Sequence, residues 1–216
     1  NGYRGVLWAI LGDLDYMAGI LGLPRWSSAE RLCALCQCTA KEPLSYTNFR
    51  PNAPWIATCW TPATWLAWDH RSTNALFDLP GVSALTVALD WMHAKYLGSD
   101  MYIFASVLVL LVYYILPGSP QENLDECWKF IQQFYRRNAT QHRFQYLNEL
   151  TMFVRKSGYV KLRGRAAEIK GFGPALLALW NEHMNSHLEI HRCIKMMLKL
   201  NVQLETILDE YSGYYA

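Results

Sequence analysis

The chain has 216 residues, 52% of them hydrophobic and only 18% charged, with a formal net charge of +2 at pH 7. That balance suffices to bury a substantial core and excludes both an intrinsically disordered segment and a protein that works through a large overall charge. Three cysteines crowd together at Cys33, Cys36 and Cys38 while Cys59, Cys127 and Cys193 are scattered, which is not the framework of a disulfide-rich secreted domain, so an intracellular, reducing setting is expected. The length suits one domain or a piece of something larger, and because an apolar run begins almost at Asn1 without a signal-peptide pattern, the expectation is a piece of a longer fold.

Residues 3–11 are apolar and rich in strand-compatible side chains, and they close on Gly12 and Asp13. They read as a buried strand that delivers a carboxylate at its C-terminal end. Residues 14–23 read as a short helix ended by Gly22 and Pro24. From 26 to 89 the sequence is irregular, with Pro43, Pro51, Pro54, Pro62 and Pro80 among many aromatics, including Trp55, Trp60, Trp65 and Trp68. So long a coil needs something to hold it, either a metal or a surface onto which the tryptophans wrap. Helical periodicity takes over after Pro80-Gly81 and predicts helices over 91–116, 121–137, 141–154, 165–184 and 186–211. Within the first of these, 101–116 is a run of sixteen apolar residues, short of the roughly 20 a bilayer span takes, so a buried core helix and no membrane partner are expected. The apolar positions of 186–211 form a helical stripe suited to self-association. Three regions result: a strand and helix at 1–25, a Cys- and Trp-rich segment at 26–89 and a helical remainder at 90–216.

The chemistry-bearing residues are few. Cys33 and Cys36 have the spacing at which two thiolates reach one tetrahedral zinc, and the remaining ligands would come from among Cys38, Cys59, His70 and His93, with Cys59 and His70 the expected pair. A redox Cys-x-x-Cys is the main rival and lacks the βαβ surroundings it needs. Asp13, at a strand end, stands where a parallel-sheet enzyme places a metal-binding carboxylate, and it is equally suited to cap the helix that follows. Asp90 and His93 share one face of a helix, where they could act on one ligand or bond each other. Glu168 opens a predicted helix, where the dipole favours a carboxylate. Arg155, Lys156, Lys161, Arg163, Arg165 and Lys170 fall within sixteen residues and make a local basic patch, either a nucleic-acid surface or a solvated face.

Taken in order, these residues resemble the CACTA-type (En/Spm-like) DNA transposases, and more closely the divergent transposase-like reading frames of dinoflagellate genomes. Three segments carry the resemblance. Gly12-Asp13-Leu14-Asp15-Tyr16, running through Gly22 to Cys33-Ala34-Leu35-Cys36, is similar to the family's aspartate, apolar helix, glycine and Cys-x-x-Cys. Leu89-Asp90-Trp91-Met92-His93 is similar to its Asp-x-Met-His signature. Arg165-Ala166-Ala167-Glu168, leading into Pro174-Ala175-Leu176-Leu177, resembles the segment before its final helices. Asp15 departs from the pattern, standing where many relatives carry a small residue or proline.

The resemblance covers about residues 10 to 185. It implies part of an RNase H-like α/β core interrupted by a large helical insertion, so that the chain itself is mainly α with a small β component. Asp13 would be the second catalytic acid and Glu168 the third, with Asp90 and His93 auxiliary and His93 facing the pocket that holds Asp13. The first acid would lie outside this chain, which would then be inactive alone, because Mg²⁺-dependent strand transfer holds two ions roughly 3.5–4 Å apart with all its carboxylates. DNA is the implied partner, the nucleus the implied location and zinc the implied staple. The alternative is a non-catalytic, zinc-stapled helical module, derived from a transposon, that binds nucleic acid or protein.

Overall fold

The computed structural model describes residues 9–25, 27–28, 30–154 and 158–211 and divides into two units, residues 1–94 and residues 95–216. The chain is mainly helical with a small β component, as expected.

In the first unit, strand β1 (Ile10–Gly12) leads into helix α1 (Leu14–Gly19), and strand β2 (Val87–Leu89) returns parallel to β1 in the register Ile10↔Val87, Leu11↔Ala88, Gly12↔Leu89. A parallel pair needs a long crossover, and residues 13–86 supply it. Only the C-terminal part of the predicted strand falls among the described residues; residues 3–8 lie outside them. The crossover is irregular but ordered: 3-10 turns at Pro54–Thr58, Ala75–Asp78 and Ala84–Thr86 flank the short helix α2 (Pro62–Leu66), whose N-terminus carries a Thr61/Thr64 capping box. What holds it is aromatic packing. Trp65 is fully buried between Trp60, Trp68 and Phe77, with ring centroids 6.0, 5.6 and 5.7 Å away, and Met17, Leu21, Leu23, Val82 and Val87 complete the core. Side chains of the crossover also take up the carbonyls at the end of α1: Ser72 Oγ donates to Leu21 O at 2.5 Å and Asn74 Nδ2 to Ile20 O at 2.8 Å.

The second unit is built on an apolar helix, α3 (Met101–Leu110), flanked by π-helical stretches at Met92–Asp100 and Leu111–Ile115, the first interrupted by non-helical angles at Gly98. By length and composition, Met92–Ile115 could cross a membrane, yet 44% of its apolar window is buried inside the protein. Its Phe104, Ala105, Leu108, Leu111 and Val112 lie at the centre of the core, which accounts for the apolarity. Helix α4 (Pro120–Arg137) starts with a Ser119/Glu122 capping box and Pro at its first position, both favourable there. It buries Leu124, Cys127, Ile131 and Tyr135, a stripe at helical spacing. Helix α5 (Ala166–His183) contributes Ile169, Phe172, Ala175, Leu176, Leu179 and Trp180, and α6 (Glu189–Tyr211) follows.

The helix predicted over 141–154 does not form; apart from a 3-10 turn at Leu150–Met152 the segment is irregular. Its carbonyls are drawn sideways. Phe153 O accepts from Lys161 N at 2.9 Å and Met152 O from Arg163 N at 2.8 Å, while Val154 bridges Val160. Phe144, Leu147 and Phe153 are buried all the same. Gly171 makes this possible: a Cβ there would stand 2.0 Å from His142 O, so only glycine lets the segment lie on the backbone of α5.

A buried ionic cluster ties α6 to the rest of this unit. Lys95 Nζ meets Asp100 Oδ2 at 2.6 Å, Glu205 Oε1 at 2.5 Å and Asn201 Oδ1 at 3.2 Å, and Asn201 Nδ2 returns to Asp100 Oδ1 at 2.7 Å. Tyr96 OH donates to Glu205 Oε2 at 2.8 Å. Burial and the Glu205 carboxylate push the Tyr96 phenol well above its usual range. Glu205 Oε1 is paired with Lys95 by charge and is not aligned for a hydrogen bond.

Candidate functional site

The parallel register carries a consequence for two carboxylates. Because Gly12 pairs with Leu89 and Asp90 N donates to Gly12 O at 3.1 Å, Asp13 and Asp90 leave neighbouring strands side by side at their C-terminal ends. This is the edge at which parallel α/β sheets place their ligands. Asp13 caps α1, its Oδ1 accepting from Tyr16 N at 2.7 Å. Asp90 is held more tightly: Oδ1 accepts from Met92 N at 2.9 Å and His93 N at 3.4 Å, and Oδ2 lies 2.7 Å from His93 Nδ1. The hydrogen bond from His93 is the largest cause that lowers the Asp90 carboxyl below its ordinary value, backed by the two backbone amides. The ring of His93 is thus engaged with Asp90, and the carboxylate of Asp13 with its own helix.

The thiols form a second centre in the same unit. The sulfurs of Cys33, Cys36 and Cys38 lie within 4.8 Å of one another, the only group of three or more metal-ligating side chains so close among the described residues. Two backbone-level contacts build it: Trp60 N donates to Leu35 O at 3.0 Å and Gln37 N to Thr58 Oγ1 at 3.0 Å, laying residues 58–60 against the cysteine loop. Cys59 comes within electrostatic reach of Cys38 by this route. Burial pushes the Cys36 and Cys38 thiols up, with the neighbouring Cys33 sulfur adding to it. Such thiols stay protonated on their own, and a bound cation displaces the protons. The cluster can hold a metal ion. Cys38 belongs to this group, and of the expected ligands Cys59 and His70 are both exposed and lie outside it, His70 edge-on to Trp68 at 6.2 Å.

Glu168 and the basic stretch belong to the second unit. Glu168 Oε2 accepts from Arg165 N at 2.8 Å and so closes the start of α5. Arg163, Arg165 and Glu168 line a groove of about 780 Å³ whose other wall is the irregular segment from Gln141 to Met152. The rest of the patch disperses. Lys170 pairs with Asp209 at 2.6 Å and Glu205 at 3.7 Å, and Lys161 sits over the Tyr102 ring at 5.3 Å. Arg155 and Lys156 lie outside the described residues. Sequence reasoning left Cys38 among the alternatives to Cys59 and His70, and it missed Arg143 as a groove residue and the whole Lys95 cluster. The crowding of three cysteines is the signal that favours Cys38; the other two carry none, since their partners come from distant segments. No known protein family, curated protein or solved structure matches this chain.

Proposed function

We propose that this chain is part of a CACTA-type DNA transposase, with β1 and β2 belonging to an RNase H-like core, and that on its own it binds DNA without cutting it. The observation that supports this reading is the parallel pairing of β1 and β2, with Asp13 and Asp90 side by side at the strand ends. Two carboxylates are a hard-oxygen donor set that suits Mg²⁺, which completes its octahedron with water and phosphate oxygens. When bound at such a centre, the metal lowers the barrier to hydroxyl attack on a phosphodiester. Asp13 would contribute its uncommitted oxygen, and Asp90 would position His93 beside it. Glu168 is the third acid by resemblance, and the first lies outside these residues, so cleavage by this chain alone is not expected.

The test is iron-mediated cleavage of the polypeptide, with Fe²⁺ and ascorbate standing in for Mg²⁺. Cuts should appear beside residues 12–13 and 89–93 and fade with excess Mg²⁺ or with Asp13→Asn. Their absence would sink the carboxylate centre.

A second reading is favoured by one observation: ligand atoms converge at the thiols and not at the carboxylates. On that reading the chain is a non-catalytic module stapled by zinc at Cys33, Cys36, Cys38 and Cys59, a tetrahedral four-sulfur set.

On either reading, a second copy is proposed as a partner of α6. Cys193, Met196, Leu200, Leu204 and Ile207 recur every three to four residues along its exposed face. Arg192, Lys195 and Lys199 flank the first half of this stripe, after Glu189, and Glu210 the far end, so an antiparallel pair brings Glu210 towards the basic residues of the second copy. Leu200→Glu should convert a dimer to a monomer in sedimentation velocity; a monomeric parent would end the idea.

A further inference from the structure

We infer that the groove beside the start of α5 binds a single strand of nucleic acid, with a row of arginines on its phosphates and Tyr146 stacked on a base. It rests on the transposon reading only in taking DNA as the polymer; the groove argues for a strand by itself.

The cations come first. Arg143, Arg163 and Arg165 line the groove of about 780 Å³, and Arg143 also lines an adjoining cavity of about 210 Å³ together with Arg136. Among the described residues none of these four guanidinium groups takes part in a salt bridge or donates a hydrogen bond. The same unit shows the contrary case, since Lys95 and Lys170 are fully engaged with Asp100, Glu205 and Asp209. Two acids, Glu149 and Glu168, also line the groove and keep their charge, each accepting one hydrogen bond, from Thr151 Oγ1 at 3.1 Å and from Arg165 N at 2.8 Å, and the four guanidinium groups outnumber them two to one. Four unpaired planar forks along two contiguous cavities match a run of phosphates better than one isolated anion, because guanidinium is suited to bidentate phosphate contact.

The walls decide the kind of polymer. Tyr146 is 63% exposed and lines the same groove, and Gln141 and Gln145 present amides beside it. An exposed ring on a cationic floor is how sequence-tolerant strand binders hold unpaired bases, whose faces are free to stack. A duplex keeps its bases stacked on one another and offers only its outer phosphates. The groove is also preformed, which lowers the cost of ordering a ligand. Phe144 is buried against Phe172, with ring centroids 5.5 Å apart, and the carbonyl of His142 rests on Gly171.

The experiment uses the full 216-residue chain and a fluorescein-labelled fifteen-nucleotide thymidine strand, with fluorescence anisotropy read at several salt concentrations. If four phosphates are contacted, log K should fall against log salt with a slope of about 3. R143Q/R163Q/R165Q should weaken binding at least about tenfold and flatten the slope by about 2. Tyr146→Ala should weaken it about fivefold or more with the slope unchanged, the mark of a stacking contact. Absence of strand binding overturns the proposal, as does tighter binding of a duplex of equal length. So does an equal loss of affinity with Lys195→Gln/Lys199→Gln on α6, which would indicate diffuse charge. The iron-cleavage test reads the first unit alone, so failure of the carboxylate centre and failure of the groove are separate results.

Discussion

The two units reach order by different means. Among the described residues, the second unit gathers twenty-two buried hydrophobic residues in one cluster drawn from its helices and from the irregular stretch 144–162, whereas the cluster of the first holds nine, among them Trp60, Trp65 and Phe77. Cys36 and Cys38 are buried as well, yet they fall outside the hydrophobic cluster of their unit. Small domains with modest apolar cores commonly add staples. On the zinc-stapled reading, the thiol group would have a structural task in the first unit that the second, with its larger apolar cluster and its buried Lys95 cluster, does not require.

On the zinc-stapled reading, the largest effect should come from removing the metal. Stripping metal with a strong chelator, or Cys36→Ser, should abolish amide-exchange protection across roughly residues 30–60 while leaving α4 and α5 protected, since structural zinc contributes on the order of 10 kcal/mol to small metal-dependent folds. A purified protein without zinc, or one whose two units lose protection together, would break the contrast. Next comes the ionic cluster. Lys95→Met leaves Asp100 buried without its cation and Glu205 with only Lys170 at 3.7 Å, and denaturant unfolding of the second unit should show a loss of about 3–5 kcal/mol. A near-neutral result would place the hold on α6 in Leu198 and its apolar neighbours. The smallest effect belongs to the strand-end pair, with His93 42% and Asp90 24% exposed. Because His93 holds the Asp90 carboxyl below its ordinary value, the pair's contribution is present above that ordinary value and is lost as pH falls through the lowered one. His93→Ala should let the Asp90 carboxyl titrate upward in an NMR titration and cost about 0.5 kcal/mol, as expected of a solvent-screened pair. An unmoved carboxyl would show that the Met92 and His93 amides alone hold it.

Much of the helical part was legible residue by residue. Ser119-Pro120-Gln121-Glu122 announces α4, Gly12-Asp13 marks the passage from β1 to α1, and the regular apolar spacing of 186–211 announces α6, because caps and periodicity are local properties of a few consecutive side chains. The segment 141–154 has the same apolar content and was misread as a helix. Its hydrogen-bond partners, Lys161 and Arg163, follow a turn later in the chain, and the glycine that admits it to α5 is Gly171. Of the candidate sites, Cys33 and Cys36 were visible through their spacing. Cys38 joins Cys33 and Cys36 once the loop is closed by Trp60 N and Thr58 Oγ1, whereas Cys59 and His70 stay outside the group.

By itself, then, the sequence determined composition-driven facts: a well-buried, mainly helical chain with one strand-to-helix passage at Asp13, a thiol-rich loop and an apolar stripe on its last helix. Tertiary structure alone decided which charges are used up and which are free. Lys170 and Arg163 lie in one basic stretch, yet the first is bound to acids from α6 and the second faces an open groove. The reason is physical: a side chain's propensity acts over one or two turns, whereas the partner that neutralises, caps or desolvates it is supplied by whichever distant segment the core brings alongside.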